Sequence, residues 1–297
     1  MSTRPKLLIT GGSGFLASAL IASASDWDVF ATCHQSCVEQ RSLCKVIDVD
    51  ITNRSRMEEV ICSVSPSAII HTAAIADLAF CSSDRHLASQ VNIVGTENVA
   101  LAAQKCGAKM VFTSTDLVYS GSESNYSEDD IAEPSCYYGQ TKLEAEKLTA
   151  SLCSNYSIAR IALIYGRSLS RKKCFAELML NRMAEGGEAM GLFSNEYRSP
   201  VYLEDLCNVL LQMASRDDAQ GIYNIGGPQR MSRYEFGLLL AETFNLDKNS
   251  IKPVNMEQAM FNYHRPEDCS MSIEKALHTF GDIFQTPRQG IEKMKQI

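Results

Sequence analysis

Short unbroken apolar runs alternate through the first half of the chain with stretches in which apolar residues recur at helical spacing. A strand that is apolar without a break is buried on both faces, so this alternation predicts a parallel sheet covered by helices on either side. The runs place strands near 6–10, 28–33, 44–48, 67–71, 109–114 and 157–163. A further candidate at 221–227, Gly-Ile-Tyr-Asn-Ile-Gly-Gly, comes much later and is expected to rejoin the same sheet. Helical stretches near 174–186, 204–215 and 232–245, punctuated by Gly and Pro, predict a smaller lobe over the carboxyl ends of the strands, where open sheets bind ligands. The expected fold class is α/β, with one domain over 1–165 and a mainly ligand-recognising lobe over 166–297.

The first strand runs straight into Gly11-Gly12-Ser13-Gly14-Phe15-Leu16-Ala17. Gly12, Gly14 and Ala17 fit the G-x-G-x-x-G/A pattern, and Gly11 with Gly14 gives a second reading. Glycines let the backbone approach a pyrophosphate, while the helix starting at Phe15 and Leu16 offers free N–H groups and a positive dipole end. The doubly wound sheet is therefore expected to be of the dinucleotide-binding, Rossmann type. After the third strand, Asp50 and Ile51 stand where a hydrogen bond and packing would hold an adenine; the alternative is a helix N-cap by Asp50 or Thr52. Strand four ends in His71-Thr72-Ala73-Ala74, and Ala73 and Ala74 are small enough for the cofactor to pass close by. About 20 residues past the glycines, where a carboxylate would hold a ribose 2'-hydroxyl, stands His34. Cys33-His34-Gln35-Ser36, with Arg41 in reach, suits a 2'-phosphate, so NADP is the expected cofactor, with NAD left open; His34 as a plain strand-end residue is the other reading.

Tyr138 and Lys142 stand at i and i+4, on one face of a helix. An ammonium beside a phenol favours phenolate, so the expectation is a lowered tyrosine pKa and a usable acid or base. The same spacing also arises as a plain surface pair. Strand five delivers Thr113-Ser114-Thr115-Asp116 to the same edge, where a hydroxyl near Tyr138 can donate to a carbonyl. Arg167, Arg171, Lys172 and Lys173 crowd the segment after strand six, and with Arg198 or Arg265 they are expected to clamp a diphosphate-bearing substrate; a solvated basic loop is the alternative. The acidic segment 120–135 reads either as a lid or as a static surface loop, and 286–297 as a closing helix that packs.

The chain of 297 residues carries a formal charge of −7, which argues against a nucleic-acid surface and a polybasic membrane anchor. No apolar run approaches a membrane span, and the first strand leaves no room for a signal peptide, so a soluble cytosolic protein is expected. Eleven cysteines without a C-x-x-C pair fit reduced thiols and no disulfide framework, and the dispersed histidines suggest no metal.

Thr10 to Phe15, His71 to Ala74, Asn92 followed by Gly95-Thr96, Ser114-Thr115-Asp116 and Tyr138-x-x-x-Lys142 occur in the order and spacing of the extended short-chain dehydrogenase/reductases, which the chain resembles throughout. Arg198-Ser199-Pro200-Val201-Tyr202, Tyr223 to Gly227, Arg265-Pro266 and Thr286 to Ile291 resemble the dTDP-4-dehydrorhamnose reductase branch, which also contains the regulatory beta subunit of methionine adenosyltransferase. The resemblance implies that Tyr138 donates a proton to a ketone oxygen as hydride arrives from the nicotinamide. It implies further that Lys142 binds the nicotinamide ribose, that Thr115 orients the carbonyl, and that Asn92 supports the relay and the helix geometry. Tyr137, off the Lys142 face, is assigned to packing or the substrate wall. The expected activity is reduction of a keto group on a nucleotide sugar or similar small carbonyl compound; the alternative is a cofactor-binding regulatory subunit. In this fold the fourth and fifth helices often pair across a dimer, which leaves a homodimer open.

Overall fold

The computed structural model describes residues 4–35 and 42–296. Six strands, β1 (Lys6–Thr10), β2 (Asp28–Cys33), β3 (Lys45–Asp48), β4 (Ala68–His71), β5 (Lys109–Thr115) and β6 (Tyr156–Ile161), are joined by a returning strand, Gly221–Ile225. They form one parallel sheet in the order Gly221–Ile225, β6, β5, β4, β1, β2, β3. This is a Rossmann-type doubly wound sheet, with its switch point between β1 and β4. Beyond β6 the chain leaves the sheet, and β7 (Ile164–Tyr165) pairs with Val201–Tyr202 instead.

The helices, in chain order, are α1 (Phe15–Ser23), α2 (Arg54–Val64), α3 (Leu78–Ser83), α4 (Arg85–Ser89), α5 (Gly95–Cys106), α6 (Tyr137–Leu152), α7 (Phe175–Glu185), α8 (Leu203–Ser215), α9 (Arg233–Thr243), α10 (Glu274–Phe280) and α11 (Pro287–Gln296). Because strand side chains alternate, Leu7 and Ile9 pack on one face with Leu20 of α1, Leu206 and Leu210 of α8 and Phe280 of α10. Leu8 points the other way, into a core with Met57 and Ile61 of α2, Val99 of α5 and Ala145 of α6. A separate core of Tyr165, Tyr202, Phe236, Leu240, Ile291 and Met294 gathers the C-terminal helices, and α11 closes it as expected of a packing helix.

Two local expectations are corrected. Neither Asp50 nor Thr52 caps the following helix: the Asn53 side chain accepts from the Arg56 N–H, while Asp50 turns its carboxylate to the backbone and hydroxyl of Thr52 at 2.9 and 2.8 Å. The cysteines are not all reduced, since Cys62 of α2 and Cys106 of α5 form a disulfide where the two helices pack side by side. Their separation of 44 residues carries no pattern that a sequence reading could use. Cys81, Cys136, Cys153, Cys174, Cys207 and Cys269 are free thiols, and no cluster of metal-binding side chains occurs among the described residues.

Candidate active site

Gly11 sits at φ +70°, and a Cβ there would lie 2.8 Å from the Ala73 Cα, so the turn after β1 admits only glycine. Its carbonyl accepts the Gly14 N–H at 2.9 Å, and the Gly12 N–H is tied to the Thr32 carbonyl at 2.7 Å. Gly14 caps α1 with no side-chain hydrogen bond, which leaves the first-turn N–H groups, including those of Phe15 and Leu16, without intrahelical partners. Gly14, just ahead of them, borders a groove of about 210 Å³ lined also by Gly11, Ser13, Cys33, His34, Asp50, Ile51, Ala73 and Ala74. An anion held by backbone N–H groups fits such a helix start, so the residues suit a dinucleotide pyrophosphate. His34 lies 4.0 Å from Asp48 and 3.8 Å from Asp50, and of the two carboxylates Asp50 lines the groove. Ser36 and Arg41 lie outside the described residues.

A second cavity, of about 430 Å³, adjoins the groove at Gly14 and brings together Thr115, Tyr138 and Lys142. Each arrives on a separate piece of regular structure or on opposite turns of one helix: Thr115 ends β5, and Tyr138 and Lys142 lie a turn apart on α6. Cys136 caps α6 by accepting from the Gly139 N–H. Gly139 is required for contact, since a Cβ there would strike the Leu117 carbonyl well inside van der Waals distance. Gly139→Ala is therefore expected to push the first turn of α6 outward, lowering stability by about 1–3 kcal/mol and misplacing Tyr138. Thermal melts and turnover measured together check this, and a variant as stable and as active as the parent would show that the turn yields freely.

The electrostatics differ from the expected phenolate. Burial pushes the Tyr138 hydroxyl well above the ordinary tyrosine range, the Asp116 carboxylate and the thiols of Cys81 and Cys136 add to that, and the Thr115 hydroxyl works the other way. Lys142 is itself buried, and desolvation brings it down to about 7 against partial support from Glu146. Its ammonium sits 4.1 Å from the Phe112 ring centroid. The dominant influence on both groups is thus loss of water, and the phenol stands as a neutral proton donor. Beneath them, Glu146 is held by Arg160 at 2.8 Å and receives the Ser114 hydroxyl at 2.5 Å. Burial takes His71 down to about 3, so it is neutral between Thr10 and Thr96 at 2.6 and 3.0 Å.

Asn92 is not in the cavity. In a π-helical turn, Gln90–Val94, its side chain accepts from the Ile75 N–H and donates to the Ile75 carbonyl and the Thr141 hydroxyl at 2.8 to 3.0 Å. With both amide hydrogens engaged, the side chain ties the loop after β4 to α6. The Tyr137 hydroxyl meets Ser89 at 2.7 Å and its ring lies under Arg85, a packing role. The segment 120–135 is anchored rather than loose: the Tyr126 N–H donates to the Ser270 carbonyl, Tyr126 stacks on Tyr119 at 4.4 Å, and Glu128 accepts from the Asn224 N–H at 2.7 Å.

The basic cluster after β6 is dispersed, contrary to the expected substrate clamp. Arg167 turns to the Met294 carbonyl at 2.8 Å, beside α11, because that carbonyl ends a helix and lacks a partner. Arg171 lines neither space, and Lys172 lines the groove beside the glycine turn rather than the larger cavity. Arg198 and Arg265 do line the larger cavity, joined by Arg233, which has no sequence signal of its own. All three gather on Glu196, at 3.3, 2.9 and 3.1 Å, and Arg198 also pairs with Asp116 at 3.4 Å. Burial alone would raise Glu196; Arg233, Arg198 and Arg265 outweigh it and hold the carboxyl at about 2.

The sequence profile of the family described as the RmlD substrate binding domain matches residues 5–297. Methionine adenosyltransferase 2 subunit beta of Mus musculus is 26% identical over 295 residues, covering 97% of this chain and 86% of that protein. dTDP-4-dehydrorhamnose reductase of Aggregatibacter actinomycetemcomitans is 29% identical over 244 residues, 79% of this chain and 78% of the relative. Among solved structures, dTDP-4-dehydrorhamnose reductase from Bacillus anthracis in complex with NADP superposes with a TM-score of 0.88 at 26% identity, covering 99% of each chain.

Proposed function

This chain belongs to the RmlD substrate-binding domain family, and from that premise we propose that it is an NAD(P)-dependent reductase of the short-chain dehydrogenase/reductase type, acting on a keto group of a nucleotide-activated sugar. The observation that carries this reading is the meeting of Thr115, Tyr138 and Lys142 in one cavity that opens onto the uncapped start of α1. The bound dinucleotide would supply the hydride. The remaining work falls to the protein's side chains. The Tyr138 hydroxyl, kept neutral by burial, gives its proton to the ketone oxygen, and Thr115 donates a hydrogen bond that orients the carbonyl. Lys142 holds the nicotinamide ribose, whose hydroxyls stabilise an ammonium that burial otherwise opposes. Asn92 is a positioning residue, fixing α6 against the loop after β4.

Recognition of the diphosphate is assigned to Arg198, Arg233 and Arg265, three guanidiniums whose ion pairs among the described residues are with Glu196 and Asp116. NADP is the preferred cofactor, in keeping with the NADP held by the Bacillus anthracis relative and with the lack of a carboxylate at position 34; NAD is the second choice. No described helix is long and apolar enough to cross a membrane, and a cytosolic location is part of the same proposal.

NADPH oxidation with a panel of keto-sugar nucleotides tests this directly. Turnover with at least one member, at a kcat in the ordinary range of roughly 1–10³ s⁻¹, is the expected outcome. A second reading, a cofactor-binding subunit of another enzyme, is favoured by the similarity to methionine adenosyltransferase 2 subunit beta across 97% of the chain. Tight NADPH binding with no turnover across the panel, together with a stable complex with a methionine adenosyltransferase catalytic subunit, would establish it instead.

A further inference from the structure

The four cations after β6 were expected to act as one clamp, yet each is placed differently, and Lys172 reaches the cofactor side. Arg167 bonds the Met294 carbonyl, and Lys173 is drawn to Glu177 at 3.8 Å. Lys172 lines the groove shared with Gly11, Ser13 and Gly14, and among the described residues its ammonium pairs with no carboxylate.

Its backbone is fixed although its side chain is exposed. The Lys172 carbonyl accepts the Ser168 hydroxyl at 2.6 Å, and its N–H donates to the Ser170 hydroxyl at 3.2 Å. Glu177 of α7 anchors both ends of the same loop, accepting from the N–H groups of Ser168 and Cys174, each at 3.1 Å. The side chain therefore leaves from a set point toward the groove.

The charges there make this placement informative. The start of α1 offers N–H groups but no formal charge, its first turn carries no acidic residue, and the nearby ionisable groups are His34, Asp48 and Asp50. A pyrophosphate brings two negative charges, and within the described residues Lys172 is the lysine or arginine that faces them. The next residues, Lys173, Cys174 and Phe175, line the larger cavity together with Gly14 and Phe15. That continuity, with Gly14 lining both spaces, argues for Lys172 meeting a dinucleotide at its pyrophosphate rather than at its ribose near His34.

We propose that Lys172 is a ligand of the dinucleotide pyrophosphate, supplied by the loop before α7 and closing on the phosphates from the side opposite the glycine turn. This rests on the reductase reading only in so far as a pyridine dinucleotide binds. A single charge-assisted hydrogen bond to a phosphate supports about a tenfold change in affinity, and its exposure makes the effect smaller at high salt.

Calorimetric titration of NADPH and NADH into the full-length parent protein, Lys172→Ala and Lys172→Arg tests it at low and high salt. The expected result is that Lys172→Ala weakens both dinucleotides by the same factor, that Lys172→Arg restores most of the affinity, and that the gap narrows with salt. Equal affinity of parent and Lys172→Ala for both dinucleotides overturns the proposal while leaving the reductase reading intact. A loss confined to NADPH also overturns it, since it would place the ammonium on the 2'-phosphate. Failure of the parent itself to bind either dinucleotide would overturn this proposal and the reductase reading together.

Discussion

Tyr138→Phe is expected to lower turnover by about 10²–10⁴-fold while leaving NADPH affinity within about twofold of the parent. The reasoning is geometric. The tyrosine ring is half-buried and packs against Leu117, Cys136 and Cys269, so phenylalanine fills the same space, and only the oxygen is lost. That oxygen faces the cavity and not the glycine turn, so the pyrophosphate contacts are untouched. Because burial holds the phenol protonated, its ionisation should leave no alkaline limb on the reductive rate through neutral and mildly alkaline pH. An acidified phenol, as read from the Tyr–Lys spacing, would instead produce such a limb. Single-turnover kinetics across pH, paired with NADPH titration, separate these outcomes; undiminished turnover in the variant would assign proton delivery to another group.

The second large effect is on stability. Glu196 is fully buried and is the shared partner of Arg198, Arg233 and Arg265. Burial and the two neighbouring guanidiniums work against the charge on Arg233, so the carboxylate is what makes the cluster tolerable. Glu196→Gln keeps the shape but strands the cations, and a loss of about 3–5 kcal/mol is expected at neutral pH. The pH dependence has a definite sign. Folding lowers Glu196 from 4.5 to about 2, so its contribution is fully present above 4.5 and is lost as pH falls toward 2. The parent should therefore lose stability relative to Glu196→Gln across that window. Denaturant titrations at neutral and acid pH check both parts; a variant as stable as the parent at pH 7 would mean that the arginines relax into water.

The sheet was legible because its strands are apolar without interruption, a pattern that depends on local sequence alone. The glycine turn, β1, β2 and α1 stand where the sequence places them for the same reason. Thr115, Tyr138 and Lys142 converge because motif order follows strand order. What could not be read was the balance of solvation against charge: helical spacing shows that Lys142 adjoins Tyr138, but only the packed structure shows that both have lost water. The four cations after β6 failed as a group because a one-dimensional cluster gives no direction to its side chains. The pairing of Glu196 with Arg233 and Arg265 was not legible because those partners lie 37 and 69 residues away. The Cys62–Cys106 bridge was hidden in the same way, as it depends on two helices meeting edge to edge.

The strand Gly221–Ile225 lies at the margin of the sheet, hydrogen-bonded along its whole length to β6. A fragment ending near residue 165 would expose that margin and invite edge-to-edge aggregation. Grafting a new recognition module onto this scaffold therefore calls for splicing at two junctions, one on each side of that returning segment, rather than a single cut.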